Sequence, residues 1–298
     1  MKECMICPRC CGARRNQNET GFCGETNDVR VAKTSLHRWE EPCITGKDGS
    51  GTVFFTGCNL KCIFCQNHTI AGNSVGKVVT VNELADLFIR LQNHGATNIN
   101  LVTAGHFIVQ VREALQIAKK RGLVLPVVYN SSAYETVEAL KLLDGLVDIY
   151  LPDCKFMNPV ISKNYASAEN YFEVAKKAID EMVRQAGDPQ FEESEWGTVM
   201  KKGVIVRHLI LPGHTKDSMN IVRYLYQTYG DRICLSIMNQ FTPVVKQEKY
   251  LNLNRRLTKR EYSKVVDFAI GLGVENAYIQ EGDVAKESFI PDFDVSFV

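Results

Sequence analysis

Residues 58–65 read Cys58-Asn59-Leu60-Lys61-Cys62-Ile63-Phe64-Cys65, three cysteines within eight residues, directly after the apolar run Thr52–Thr56 and Gly57. Soft thiolates select iron–sulfur clusters, zinc or cuprous copper. Three ligands at this spacing can wrap one face of a four-iron cubane and leave its fourth iron open to an exogenous ligand. A structural zinc site normally has four ligands, often as paired C-x2-C knuckles, and the nearest fourth donor would be His68 or Cys43. Inert cysteines pack as small hydrophobes, a poor use of three of them in a Gly-flanked turn leaving a strand. The cluster reading is the stronger one.

Outward from this loop, short apolar runs alternate with amphipathic ones. Strands are expected at Thr52–Thr56, Asn98–Val102, Val124–Tyr129, Val147–Leu151, Val204–Leu211, Ile233–Met238 and Ala277–Gln280. Between them lie helical patterns. The first starts at Thr80, whose Thr-x-x-Glu spacing to Glu83 is a capping box, with Leu84, Leu87, Phe88 and Leu91 on one face. Further helices are expected at Val109–Lys120, Glu135–Leu143, Asp217–Tyr229 and Lys259–Gly271. Strands separated by helices imply parallel pairing with right-handed crossovers. About six such units are too few for a closed eight-fold barrel and too many for half a Rossmann fold.

Two regions interrupt the alternation. Residues 1–51 carry little strand or helix signal and are expected as a Cys-rich, metal-stapled extension of a domain spanning 52–298. Residues 157–202 are expected as an insert: one long helix with Ala168, Tyr171, Phe172, Ala175, Ile179 and Met182 on one face, then an acidic loop at 188–197. That insert would either cover the barrel mouth or be a solvated decoration.

With 298 residues and 45% hydrophobic content, the chain can bury a substantial core. Lys and Arg total 35 against 34 Asp and Glu, a net charge of +1 that gives no electrostatic reason to expect nucleic acid. No segment has the apolar length of a membrane span, and the first residues lack a secretory apolar stretch. A cytoplasmic location is expected, where thiols stay reduced and dense cysteines serve as metal ligands. Nine of the eleven cysteines lie within the first 65 residues.

The C-x3-C-x2-C spacing with Phe64 before the last cysteine resembles the signature of the radical S-adenosylmethionine (SAM) enzymes. The segments Cys7-Pro-Arg-Cys-Cys11, Gly21-Phe-Cys23-Gly24, Trp39-Glu-Glu-Pro42, Gly49-Ser-Gly-Thr-Val-Phe-Phe55, Cys65-Gln-Asn67 and Asp148-Ile-Tyr-Leu-Pro-Asp153 narrow it. Together they are similar to the pyruvate formate-lyase activating enzyme-like group, over nearly the whole chain. The resemblance implies an α/β fold, the partial (β/α)6 TIM-type barrel of that superfamily, with functional residues at the carboxyl ends of strands. It implies a 4Fe–4S cluster on Cys58, Cys62 and Cys65, with SAM chelating the open iron. A reduced cluster would then cleave SAM to methionine and a 5′-deoxyadenosyl radical that abstracts a substrate hydrogen.

Site residues follow from the same resemblance. Phe64 would pack near the adenine, or serve as plain core. The Gly-Gly-Glu-Pro segment of many relatives is here Val102-Thr-Ala-Gly-His106, without the Glu, so the SAM amino group would meet backbone carbonyls or Thr103. Asn130 and Ser131 would reach the ribose hydroxyls, or merely form a turn. Asp153 and Lys155 resemble the Asp-x-Lys of glycyl-radical activating enzymes; a surface ion pair is the alternative. Alternation should send one of Arg207 and His208 inward, and Met238-Asn239-Gln240 ends the sixth strand. The family pattern C-x2-C-P-R-x-C, then G-x-C, selects Cys4, Cys7, Cys11 and Cys23 for zinc or an auxiliary cluster, with Cys10 able to replace Cys11.

The implied partners are SAM, a reductant such as flavodoxin or ferredoxin, and a substrate. One function is installing a glycyl radical on a protein. A second is modifying a small molecule or RNA, against which the near-neutral charge argues. A third is a zinc-stapled binding module without catalysis.

Overall fold

A computed structural model describes residues 3–72, 75–195, 197–280 and 293. After the amino-terminal cysteines come strand β1 (Val29–His37), the short helix α1 (Pro42–Thr45) and β2 (Ser50–Phe55). The cysteine loop leads into α2 (His68–Ala71) and β3 (Lys77–Val79). Regular alternation follows: α3 (Val81–Asn93), β4 (Ile99–Val102), α4 (Ile108–Lys120), β5 (Val127–Ser131), α5 (Val137–Leu140) and β6 (Ile149–Pro152). Next are α6 (Pro159–Ala166), α7 (Tyr171–Ala186), β7 (Gln190–Ser194) and β8 (Gly197–Leu209). Helix α8 (Thr215–Tyr229), β9 (Cys234–Met238), α9 (Lys259–Gly271) and β10 (Ala277–Ile279) complete the order.

One mixed sheet runs β10-β9-β8-β6-β5-β4-β2-β1-β3. From β2 to β10 every neighbour is parallel, while β1 is antiparallel to both β2 and β3. Strands β3 and β10 end that path, so the barrel is open, as expected for a partial (β/α)6 barrel. Strands β2, β4, β5 and β6 are buried throughout, as parallel strands covered on both faces must be. The Thr80 capping box is present, with the Glu83 amide on the Thr80 hydroxyl at 3.2 Å, and α3 buries Leu84, Leu87, Phe88 and Leu91.

Alternation sorts the inward side chains into two layers. Val128, Ile149, Leu151, Ile205 and Cys234 form an apolar lower layer, and Cys43 and Ile44 of α1 pack among them. Asn98 donates to the Ile44 carbonyl at 2.7 Å, and Ser236 of β9 donates to Glu41 at 2.8 Å. Helix α1 therefore plugs the lumen from inside the sheet. Above it, polar residues such as Asn130 and Arg207 face inward beside Phe54 and Val102.

Three expectations change. Residues 1–51 contain a full strand of the sheet and the plug and are therefore part of the barrel's own architecture. Their signal is weak because β1 is an irregular strand with a register shift, and α1 is a single turn held by its surroundings. Strand β5, expected from Val124, starts at Val127. Pro126 has no amide for the ladder, and Val124 is 83% exposed. Residues 157–202 form two helices and a hairpin. The long one, α7, buries Tyr171, Ala175, Ala178, Ile179 and Met182 as a crossover between β6 and β8. The acidic segment is β7 paired with β8, apart from Trp196, which lies outside the described residues. Gly203 pairs with Ile149 at the start of β6, so this hairpin hangs from the amino end of the strands, away from the cysteine loop.

No helix among the described residues is long and apolar enough to cross a membrane.

Candidate functional site

At the carboxyl ends of the parallel strands lies a cavity of about 230 Å³. The loop after β2 brings Cys58, Cys62, Phe64 and Cys65 to it. Thr103 comes from the end of β4, Asn130 and Ser131 from β5, Asp153 and Lys155 from the end of β6, and Arg207 from β8. The fold thus gathers all nine of the expected cluster and SAM residues in one place. Met238 and Gln240 also line it, and His37 at the end of β1 forms a wall with Trp39 and Glu40 from the segment that follows.

Arg207 is the inward member of its pair. Its guanidinium donates to Asp153 at 3.0 Å and to Asn130 at 2.6 Å, and it lies 3.4 Å from Glu40. Lys155 meets the other Asp153 oxygen at 2.6 Å. Burial pushes the Asp153 carboxyl up, but Arg207 and Lys155 more than offset this and hold it below its ordinary value. Burial likewise pulls the Lys155 ammonium down, and the Asp153 carboxylate and the Cys62 sulfur more than restore it. The surface ion-pair alternative fails, because both side chains are mostly buried. His208 points away and bonds the Cys154 carbonyl at 2.7 Å.

Thr103 sits at φ 60°, a left-handed conformation that a β-branched residue rarely holds. Its amide is tied to the Asn130 carbonyl at 2.9 Å, which maintains the strained turn beside the cavity. Phe64 lines the cavity and also packs against Phe156, Phe241 and Tyr165.

The donor set around the three cysteines suits a cluster. The Leu60 amide points at Cys58 Sγ from 3.3 Å, and the Asn67 amide acts on Cys65. Burial pushes the Cys58 thiol up to about 12 and raises Cys62 and Cys65 as well. Such thiols would stay protonated in the free protein and release their protons only on binding a metal as thiolates. Gln66 donates to the Gln240 carbonyl and Gln247 to the Ile63 carbonyl, both at 2.8 Å, strapping the loop to the segment after β9.

The amino-terminal cysteines form a second group behind this loop. Cys4 acts on Cys7, Cys11 and Cys23, and a Cβ on Gly21 would lie 3.3 Å from Cys23 Sγ and 3.4 Å from Cys11 Sγ. Cys10 is exposed and turned to the Cys7 carbonyl. Burial raises the Cys11 thiol, but the amides of Ala13 and Phe22 more than offset it and leave it lowered. Among the described residues no three Cys, His, Asp or Glu groups converge as ligands of a single ion. Arg15 anchors the segment to the barrel by donating to the His106 carbonyl at 2.6 Å. His106 lies off the cavity, its Nε2 against the Thr56 carbonyl at 2.6 Å, and burial lowers it to about 3.

Sequence reasoning gave Glu40 and Trp39 no role. They lie outside the barrel repeats, and only the insertion of α1 into the lumen carries them to the site.

The sequence model of the radical SAM superfamily matches residues 52–225. An uncharacterized protein of Methanocaldococcus jannaschii is 29% identical over 277 residues, covering 90% of this chain and 74% of that protein. Pyruvate formate-lyase 1-activating enzyme of Escherichia coli K12 is 26% identical over 192 residues, covering 61% of this chain and 70% of that enzyme. A radical SAM methyltransferase structure from Sphaerobacter thermophilus shares the fold, with a TM-score of 0.52 at 14% identity over 78% of this chain and 66% of its own.

Proposed function

The chain belongs to the radical SAM superfamily, and from that premise we propose that its cavity holds a 4Fe–4S cluster on Cys58, Cys62 and Cys65 with SAM beside it. The observation that carries this is the meeting of these three cysteines with Thr103, Asn130, Ser131, Asp153 and Lys155 in one cavity. When bound, the pair supplies reductive cleavage of SAM and a 5′-deoxyadenosyl radical for hydrogen abstraction.

The chain's own residues do the positioning. Lys155 and Arg207 offer cationic donors to a carboxylate, with Asp153 and Glu40 holding them in place. Asn130 and Ser131 present short polar groups at a strand end, suited to sugar hydroxyls. Thr103 and its neighbouring carbonyls would receive the ammonium group. Phe64 and its aromatic neighbours form a dry wall that keeps water from the loop.

The substrate we favour is a glycine of a partner protein, as the likeness to the activating enzyme supports. The reductant would be flavodoxin or ferredoxin. Cys4, Cys7, Cys11 and Cys23 would bind zinc or a second cluster by drawing closer together than they stand here, and the amides directed at Cys11 support a thiolate there. Anaerobic reconstitution followed by reduction with SAM tests the reading: 5′-deoxyadenosine and methionine are expected, and their absence from fully loaded protein overturns it. Adding a candidate glycyl-radical protein and recording its EPR signal tests the substrate.

A further inference from the structure

Behind Ser131, which lines the cavity, sits a titratable group that the positioning above does not use. Glu135, in the turn between β5 and α5, is 5% exposed, and its Oε2 accepts a hydrogen bond from Ser131 Oγ at 2.7 Å. Ser131 Oγ also accepts the Ala133 amide at 2.8 Å, and Ser131 lines the cavity. A serine hydroxyl has one hydrogen and two lone pairs. With Glu135 ionised, the hydrogen goes to the carboxylate, one lone pair takes the Ala133 amide, and one lone pair is left over. With Glu135 protonated, the acid donates to that remaining lone pair, and the Ser131 hydrogen is released. Toward a ligand, Ser131 is an acceptor in the first state and a donor in the second.

We propose that Glu135 is a positioning residue that sets the hydrogen-bond polarity Ser131 presents to a hydroxyl-bearing ligand in this cavity. The inference rests on the reading that the ligand is SAM, whose ribose supplies the hydroxyl.

The surroundings favour a carboxyl that changes state near neutrality. Burial pushes Glu135 up to about 7, against the lowering effect of the Ser131 hydrogen bond, and the Asp153 charge raises it further. Asp153, at the end of β6, is itself held below its ordinary value and stays ionised across this range. From β5, Tyr129 faces the same space; its buried hydroxyl has no partner among the described residues, and burial holds it well above its ordinary value, so it remains neutral. From the turn after β4 comes Gly105, where a Cβ would lie 3.0 Å from Glu135 Oε1 and 3.2 Å from the Tyr129 hydroxyl.

The test uses cluster-loaded protein and equilibrium binding of SAM and of its 2′- and 3′-O-methyl analogues, at about pH 6 and about pH 8, either side of neutrality. An O-methyl oxygen accepts but cannot donate, so it suits Ser131 only while Glu135 is protonated. The preference for SAM over the discriminating analogue should grow about two- to tenfold from the lower to the higher pH, the worth of one neutral hydrogen bond. Groups common to both ligands cancel in that ratio. In Glu135→Gln and in Ser131→Ala the ratio should not change with pH, whatever its absolute size. Ser131→Ala leaves the buried carboxyl in place and decides the matter if Glu135→Gln does not fold. A pH-independent ratio in the unmodified protein, or the same change persisting in either variant, overturns the proposal while SAM binding stands. Failure of loaded protein to bind SAM at any pH overturns the reading of the cavity and this inference with it.

Discussion

The amide of Cys58 donates to the carbonyl of Cys23 at 3.1 Å, so the first cysteine of the cavity loop is hydrogen-bonded to the last of the amino-terminal group. The approach is close because Gly57 intervenes. A Cβ there would come within 2.6 Å of Glu25 Cγ and 2.8 Å of the Cys23 carbonyl oxygen, at a φ of +79°. The two cysteine groups are therefore mechanically coupled. Gly57→Ala should lower thermal stability and loosen both, read as faster hydrogen exchange at the amides of Cys58 and its neighbours and at residues 21–25. Exchange confined to one side would disprove the coupling.

Changing Cys58, Cys62 and Cys65 together to alanine should remove the iron bound at the cavity and its sulfide-to-iron charge-transfer absorption. Elemental analysis of the variant also separates the two cysteine groups. Residual iron would mean that Cys4, Cys7, Cys11 and Cys23 carry a cluster, whereas zinc alone would assign them a structural metal.

Lys155→Met keeps the apolar stem and leaves Asp153 paired with Arg207, so folding and iron content should be normal. A lost charge-assisted hydrogen bond of about 1.5–3 kcal/mol corresponds to SAM binding weakened roughly ten- to a hundredfold. Unchanged SAM affinity and 5′-deoxyadenosine formation would place Lys155 outside the SAM site.

Arg207→Met should destabilise the fold by about 3–5 kcal/mol, the usual cost of stripping a partner from buried charges. The pH dependence carries the sign. In the unmodified protein the lowered Asp153 carboxyl contributes stability above its unfolded value, lost as pH falls through the folded one. Without Arg207, only Lys155 opposes the effect of burial on that carboxyl, which is then held less low, so the deficit should be full at neutral pH and shrink on acidification. Urea midpoints along a pH series measure this; a deficit independent of pH would exclude Asp153 as its source.

His106 gives a second acid-side signature. Burial lowers it to about 3, below its ordinary value, so an unfolded chain binds a proton that the native state refuses. Stability linked to His106 should be complete above its unfolded value and drain away as pH falls toward the folded one. His106→Gln should flatten the stability curve there, if its amide keeps the bond to the Thr56 carbonyl.

The local patterns were legible in the residues. The C-x3-C-x2-C spacing is a contiguous arrangement whose ligand geometry needs no distant partner. The Thr80–Glu83 box and the apolar face of α3 follow from helical periodicity alone. Strand alternation correctly required that one of Arg207 and His208 face inward, and the order of apolar segments implied the parallel sheet. Each of these is a property of neighbours in sequence.

What remained hidden depends on contacts between distant segments. One turn at Pro42–Thr45 has no intrinsic stability; it is helical because the lumen buries Ile44 and Asn98 takes its carbonyl. That contact brings Glu40 to Arg207 across 167 residues of chain, a pairing that local spacing could not reveal. Periodicity left open which of Arg207 and His208 faced in, since both are polar; in the fold Arg207 finds Asp153 and Asn130 at the cavity, while His208 bonds the Cys154 carbonyl. The acidic run at 190–194 became a strand because Gly197 allowed a tight return onto β8. Sequence alone determined the barrel's repeating units and the spacing of its three loop cysteines, because those rest on near-neighbour geometry. Tertiary structure decided what fills the barrel and what faces the cavity, because burial there is shared among residues from both ends of the chain.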